Sequence, residues 1–175
     1  MLEKDAGETQ ERGMLLWLWV AAVVVALDQL SKWMAEASLG EGMPIPSGLP
    51  HLNWMLMYNK GAAFSFLGDQ GGWQRWFFAM LAVVVSIFII NWLRKLERTA
   101  RWTALGLVLV LGGAIGNLID RLLYGKVIDF IDVYFDIPWF RDNYHFATFN
   151  VADIAITLGA VLLVLVSLFD NESGH

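Results

Sequence analysis

Four stretches of the chain, residues 14–34, 73–92, 102–123 and 149–169, are nearly unbroken runs of apolar side chains. A helix needs about 20 such residues to cross the apolar core of a bilayer, and each run is of that length. All four prolines, Pro44, Pro46, Pro50 and Pro138, fall outside the runs, as uninterrupted helices require. The two long connections, 35–72 and 124–148, carry other patterns. Leu52, Trp54, Leu56 and Tyr58 recur at every second position, which is the period of a strand with one apolar face. The proline- and glycine-rich stretch 44–50 ahead of them supplies turn chemistry. Over 133–146, Tyr134, Phe135, Trp139, Phe140 and Tyr144 are mixed with charges, and this reads as an amphipathic helix or flap lying at a membrane surface. The expected fold is an all-α membrane protein of one domain, 1–175, with four transmembrane helices and two structured outer segments.

Composition agrees. Of 175 residues, 57% are hydrophobic and 17% charged, with a mean hydropathy of +0.53. Soluble domains hold about 25% charged residues. A net charge of −5 gives no basic footprint for nucleic acid. The absence of cysteine removes disulfides, a thiol nucleophile and thiolate metal sites together.

Charge also sets an orientation. The short connection after the second run holds Arg94, Lys95, Arg98 and Arg101, and cytoplasmic loops are enriched in such residues. Both termini are then expected in the cytoplasm, with 35–72 and 124–148 outside. Trp17, Trp19, Trp92 and Trp102 would mark the inner interface, and Trp33, Trp73 and Trp76 the outer one. Ala35-Glu36-Ala37 looks like a signal-peptide cleavage site, but the long first run ends in Asp28 and Lys32, so a retained anchor is expected.

Ionisable groups inside spans are costly and point to function. Here they gather at one level. Asp28 and Lys32 lie near the outer end of the first span, Asn117, Asp120 and Arg121 near that of the third, and Asn150 and Asp153 open the fourth. Asp129 follows the third span. Asp28 and Lys32, four apart, share a helix face and are read as a structural ion pair, with Asp120 nearby. Asn117, Asp120 and Arg121 also share a face and follow Gly112-Gly113-Ala114-Ile115-Gly116, where small residues suit a helix-packing seam. Asn150 and Asp153 have capping-box spacing. Asp129 can be a solvated loop residue, since Asp132 and Asp136 are close by.

The pair Asp129 and Asp153 decides the chemistry. If the third and fourth spans are neighbours, the two carboxylates meet and share a proton. One can then act as base on a water while the other donates to a scissile carbonyl. The helix start favours an anion at Asp153, and the apolar neighbours Ile128 and Phe130 favour a protonated Asp129. Other peptidase signatures are missing: there is no H-E-x-x-H and no G-x-S-x-G, and the three histidines, His51, His145 and His175, are scattered. No metal or other cofactor is expected.

Five blocks in order resemble the lipoprotein signal peptidase (signal peptidase II) family: Asp28-Gln29-Leu30-Ser31-Lys32, Asn59-Lys60-Gly61-Ala62-Ala63-Phe64, Gly112 through Arg121 (GGAIGNLIDR), Val127-Ile128-Asp129-Phe130, and Phe149-Asn150-Val151-Ala152-Asp153. The resemblance implies that Asp129 and Asp153 are the catalytic dyad. It implies that Asn59, Gly113, Asn117, Arg121 and Asn150 line the substrate site. It further implies a small external β-cradle, a flap, and a monomer in the bacterial cytoplasmic (inner) membrane. The implied substrates are diacylglyceryl-modified prolipoproteins, cut just before the lipidated cysteine, with membrane lipids as surroundings and no nucleic acid. The rival reading is a small ion-coupled transporter subunit, in which intramembrane Asp and Lys relay protons. The bare inner halves of the spans and the lack of an internal repeat speak against it.

Overall fold

The computed structural model describes residues 13–61, 72–135 and 144–172. A single 3-10 turn, Leu15–Trp17, leads into α1 (Leu18–Ser38). The short strand β1 (Ile45–Pro46) and the strand β2 (Leu52–Asn59) follow. Two helices, α2 (Trp73–Lys95) and α3 (Arg101–Leu123), come next, then β3 (Val127–Phe135), β4 (Tyr144–Phe149) and α4 (Val151–Glu172). Among the described residues, four helices are long and apolar enough to cross a membrane. Their bounds match the four runs to within a few residues, and the fourth starts at Val151, because Phe149 still belongs to β4.

The helix α3 is the axis of the bundle. Of its most apolar stretch 56% is buried, against 17–22% in the other three, so α1, α2 and α4 pack around it and turn their remaining apolar surface outward. Glycine makes the α3–α4 seam tight. A Cβ built at Gly159 would stand 2.6 Å from the carbonyl oxygen of Gly106, and one at Gly113 would overlap the carbonyl oxygen of Ala152. Such small residues let helix backbones touch where lipid gives no other drive to associate. Among the described residues, the core at the end away from the sheet is apolar, with Ala21, Ile89, Leu93, Ala104, Leu107, Val108 and Leu111 buried together.

The four strands form one antiparallel sheet in the order β1-β2-β3-β4, at the end where α1 and α3 finish and α2 and α4 begin. The strand at Leu52–Asn59 is the one its alternation predicts, yet its apolar side chains do not share a face. Trp54 is exposed and Leu56 buried, because the β2–β3 register shifts between Trp54 and Met57. An inserted residue of this kind swaps faces along a strand.

The second outer segment departs from expectation. Its described parts are strands, not an amphipathic helix. The run Val-Ile-Asp-Phe-Ile-Asp-Val-Tyr-Phe of β3 is rich in β-branched and aromatic residues, which suit a pleated surface, and its first four residues are all buried. Trp139, Phe140 and Pro138 lie outside the described residues, as do Ala62, Ala63 and Phe64 of the second sequence block.

Candidate active site

Strand β3 carries Asp129 as its third residue, opposite Met57 of β2. The first turn of α4 carries Asp153. Between β4 and α4 stands Asn150, and it forms the reciprocal cap its spacing suggests: Asp153 N–H donates to Asn150 Oδ1 (3.0 Å) and Asn150 N–H donates to Asp153 Oδ2 (3.3 Å). The Asn150 side-chain nitrogen also donates to Asp129 Oδ1 (2.7 Å) and to the carbonyl of Ile128 (3.2 Å). One asparagine thus joins both carboxylates. Asn117 of α3 donates to Asp153 Oδ1 (2.8 Å), and Asn59 at the end of β2 donates to Asp129 Oδ2 (3.2 Å).

Asn59, Gly61, Asn117, Arg121, Asp129 and Asp153 line a cavity of about 280 Å³, with Val127, Ala147, Phe149 and Ile156 among its walls. Arg121 reaches the carbonyls of Asn117 (3.2 Å) and Gly61 (3.5 Å), and its guanidinium lies over the ring of Phe78 at 5.3 Å. Burial pushes the Asp129 carboxyl up to about 7, the charge of Asp153 adds to the rise, and the Asn59 and Asn150 hydrogen bonds oppose it. A carboxyl poised there can hold a proton near neutral pH and release it, as acid–base chemistry requires.

Behind this site Lys32 is 1% exposed and pairs with both Asp28 and Asp120 at 2.8 Å. Among the described residues no cluster of His, Cys, Asp or Glu suits a metal ion.

Residues 20–169 match the protein family described as Signal peptidase (SPase) II. The chain belongs to the signal peptidase II family. It is therefore a peptidase and a multi-pass bacterial membrane protein. A protein of Pseudomonas syringae pv. tomato named lipoprotein signal peptidase is 48% identical over 163 residues, covering 93% of this chain and 91% of that one. A protein of the same name from Hydrogenovibrio crunogenus is 52% identical over 149 residues, covering 84% and 81%. A bacterial membrane enzyme solved by the in meso method at 2.3 Å shares the fold, with a TM-score of 0.78 at 28% identity over 95% of each chain.

For this signal peptidase II chain, the sequence-predicted site residues divide. Asp129, Asp153, Asn59, Asn117 and Arg121 meet at the cavity. Asn150 is fully buried beneath it and touches the carboxylates rather than the open space. Gly113 is not among the residues that line this cavity, and a Cβ there would meet Ala152 and Ile156 across the α3–α4 seam. Sequence reasoning gave no role to Gln29, which donates to Asp120 Oδ1 (2.9 Å), to Asp28 Oδ2 (3.2 Å) and to the carbonyl of Gly116 (3.2 Å). Its place beside Asp28 in an apolar span was the available signal. Asp132 is buried too, accepting from Asn53 (3.1 Å) and pairing with His145 (2.9 Å), so it is no solvated loop carboxylate.

Proposed function

We propose that this chain is an aspartic endopeptidase that removes the signal peptide from diacylglyceryl-modified prolipoproteins, cutting just before the lipidated cysteine. The observation that carries the reading is the joining of Asp129 and Asp153 through Asn150 at the wall of one cavity. The ionised carboxylate takes a proton from water, and the water oxygen attacks the scissile carbonyl carbon. The protonated partner, Asp129, donates to the carbonyl oxygen. Collapse of the tetrahedral intermediate breaks the C–N bond, and a proton passes to the leaving amine. Asn59, Asn117 and Arg121 bind the backbone of the substrate beside the dyad. Asn150 holds the two carboxylates in place.

Several features support this substrate class. Relatives over most of the chain bear the name lipoprotein signal peptidase. The cavity lies where helices meet the sheet, a level at which a lipid-anchored peptide presents its anchor. The outward apolar faces of α1, α2 and α4 suit bilayer lipid. Both carboxylates come from one chain, which favours a monomer. The arginine-rich α2–α3 connection favours a cytoplasmic side opposite the sheet, with both termini cytoplasmic and the site at the outer face of the cytoplasmic membrane. The ion-coupled transporter reading is disfavoured by the apolar core at the far end, where the described residues offer no buried polar path.

The test is cleavage of a diacylglyceryl-modified precursor by the purified protein and by its Asp129→Asn and Asp153→Asn variants. Both substitutions should abolish cleavage and leave the thermal transition in place. Activity within about tenfold of the parent, roughly 1.4 kcal/mol of barrier, in either variant overturns the dyad.

A further inference from the structure

The buried charges behind the dyad do more than neutralise one another. Asp28, Lys32 and Asp120 are all at most 1% exposed, and each sends one contact forward to the site. Asp28 Oδ1 accepts the backbone N–H of Ala152 at 2.9 Å, the residue directly before Asp153. Asp120 Oδ2 accepts the backbone N–H of Ile128 at 3.1 Å, the residue directly before Asp129. Lys32 Nζ donates to Asn117 Oδ1 at 3.0 Å, and Asn117 Nδ2 donates to Asp153. The same lysine joins the two carboxylates, so one cation links the supports of both catalytic residues.

The amide of Asn117 shows what this linkage decides. Its oxygen receives two donors, Lys32 Nζ and Asn150 Nδ2 (3.2 Å). An inverted amide would set its NH2 against an ammonium and a second NH2, and its oxygen against the carboxylate of Asp153. Lysine has donors and no acceptor, so it admits one orientation only. A plain ion pair needs Lys32 only as a counter-charge. This arrangement also uses the direction of its third N–H.

The geometry points to Lys32 as a positioning residue for catalysis: it orients the Asn117 amide toward Asp153 and, through Asp28 and Asp120, holds the backbone ahead of each carboxylate. The inference rests on the proposed Asp129–Asp153 dyad. Its consequence falls mainly on turnover, because the Asn117 amide nitrogen that it orients is engaged by Asp153 and Lys32 itself does not line the cavity.

A double-mutant cycle tests it on the full chain in detergent, with a diacylglyceryl-modified precursor peptide as substrate. Lys32→Met should lower kcat about a hundredfold, the scale on which small misplacements act, with KM within about threefold. In an Asn117→Ala background the same substitution should cost at least about fivefold less than in the parent, because the branch through Asn117 is already cut, only the backbone supports through Asp28 and Asp120 remain to be lost, and linked residues are non-additive. Losses that multiply independently overturn the inference, as does a loss confined to KM or to thermal stability. Should Lys32→Met not fold, the parent protein decides. With 15N in asparagine side chains and 13C in aspartate carboxyls, Asn117 Nδ2 should show a short-range dipolar coupling to the Asp153 carboxyl carbon, and its absence overturns the orientation. Asp129→Asn and Asp153→Asn run in the same assay separate the two failures. If either retains cleavage, the dyad itself is wrong. If both are dead and the cycle is additive, only the role of Lys32 is wrong.

Discussion

The side-chain nitrogen of Asn150 stands 2.7 Å from Asp129 Oδ1, although Asn150 belongs to the start of α4 and Asp129 to β3. A helix cap has thereby become a clamp. The Asn150 side-chain oxygen closes the first turn of α4 and the nitrogen crosses to the sheet. The capping geometry and the carboxylate pair are one structure, so the helical start cannot shift without moving Asp153 relative to Asp129.

Replacing Asn150 separates these roles. Asn150→Ala removes the cap and the clamp. Loss of a helix cap costs about 1 kcal/mol, and a buried acceptor at Asp129 is left without its short donor. Asn150→Ser can still cap but cannot reach Asp129 as an amide does. We expect Asn150→Ser to retain most of the thermal stability that Asn150→Ala loses, while both lose at least about a hundredfold in kcat. Full activity in the serine variant would show that the clamp is dispensable.

Gly113 and Arg121 sit on the same helix and should fail in opposite ways. A side chain at Gly113 overlaps the backbone of Ala152, so Gly113→Ala must push α4 off α3, at a cost of typically 1–3 kcal/mol for overpacking. Its main effect should be a lower thermal transition. Arg121→Lys keeps the charge but loses the planar fork that spans the carbonyls of Asn117 and Gly61. It should lose more activity than stability. Parallel measurements of cleavage rate and thermal unfolding check both, and equal losses at Arg121 would favour a purely structural role.

Much of this is legible in the sequence. Long apolar runs announce spans because lipid leaves few alternatives, and polar residues inside them announce a site because they are costly. Asp28, Lys32, Asn117, Asp120, Arg121 and Asp153 were found that way. The rest was hidden for physical reasons. The first four residues of β3 are buried together, so the strand starts without alternation, and its last three residues fall inside the aromatic stretch 133–146, whose pattern suggests an amphipathic helix or flap. The register shift between Trp54 and Met57 leaves no mark in composition. Spacing of four residues predicted the Asp28–Lys32 pair, but the contacts of Lys32 to Asp120 and Asn117 join helices 85 or more residues apart in sequence, beyond any local pattern. Gly113 belongs to a run of glycines that serves packing, and only the facing backbone of α4 shows which surface it meets.

Orientation follows from charge and is open to a labelling test. Cysteine at Lys95 should resist an impermeant thiol reagent in intact cells, and cysteine at Ser47, a half-buried position between β1 and β2, should react. The natural chain has no cysteine, so no background correction is needed. The reverse pattern would put the sheet and the dyad on the cytoplasmic side and remove the case for prolipoprotein cleavage at the outer face.

The last prediction concerns the proton held at Asp129. Its carboxyl ordinarily titrates near 3.8 and is pushed up to about 7 here, first by burial and then by the charge of Asp153. The sign follows from proton counting. Between about pH 4 and 7 the folded protein keeps a proton that the unfolded chain releases, so the folded state binds more protons. Stability contributed by this group is complete below the unfolded value and is lost as pH rises toward 7, with a slope on the order of 1.4 kcal/mol per pH unit at most. Asp129→Asn, which cannot ionise, should flatten that part of the thermal-unfolding profile in detergent. Cleavage should fall on the alkaline side as Asp129 gives up its proton, producing one limb of a bell-shaped kcat profile, and the pair rather than either residue sets the apparent values. Site-resolved carbon NMR of labelled aspartates assigns the proton. A carboxyl at Asp129 that is already ionised at pH 5, with the proton on Asp153, would reverse the roles of acid and base while leaving the dyad intact.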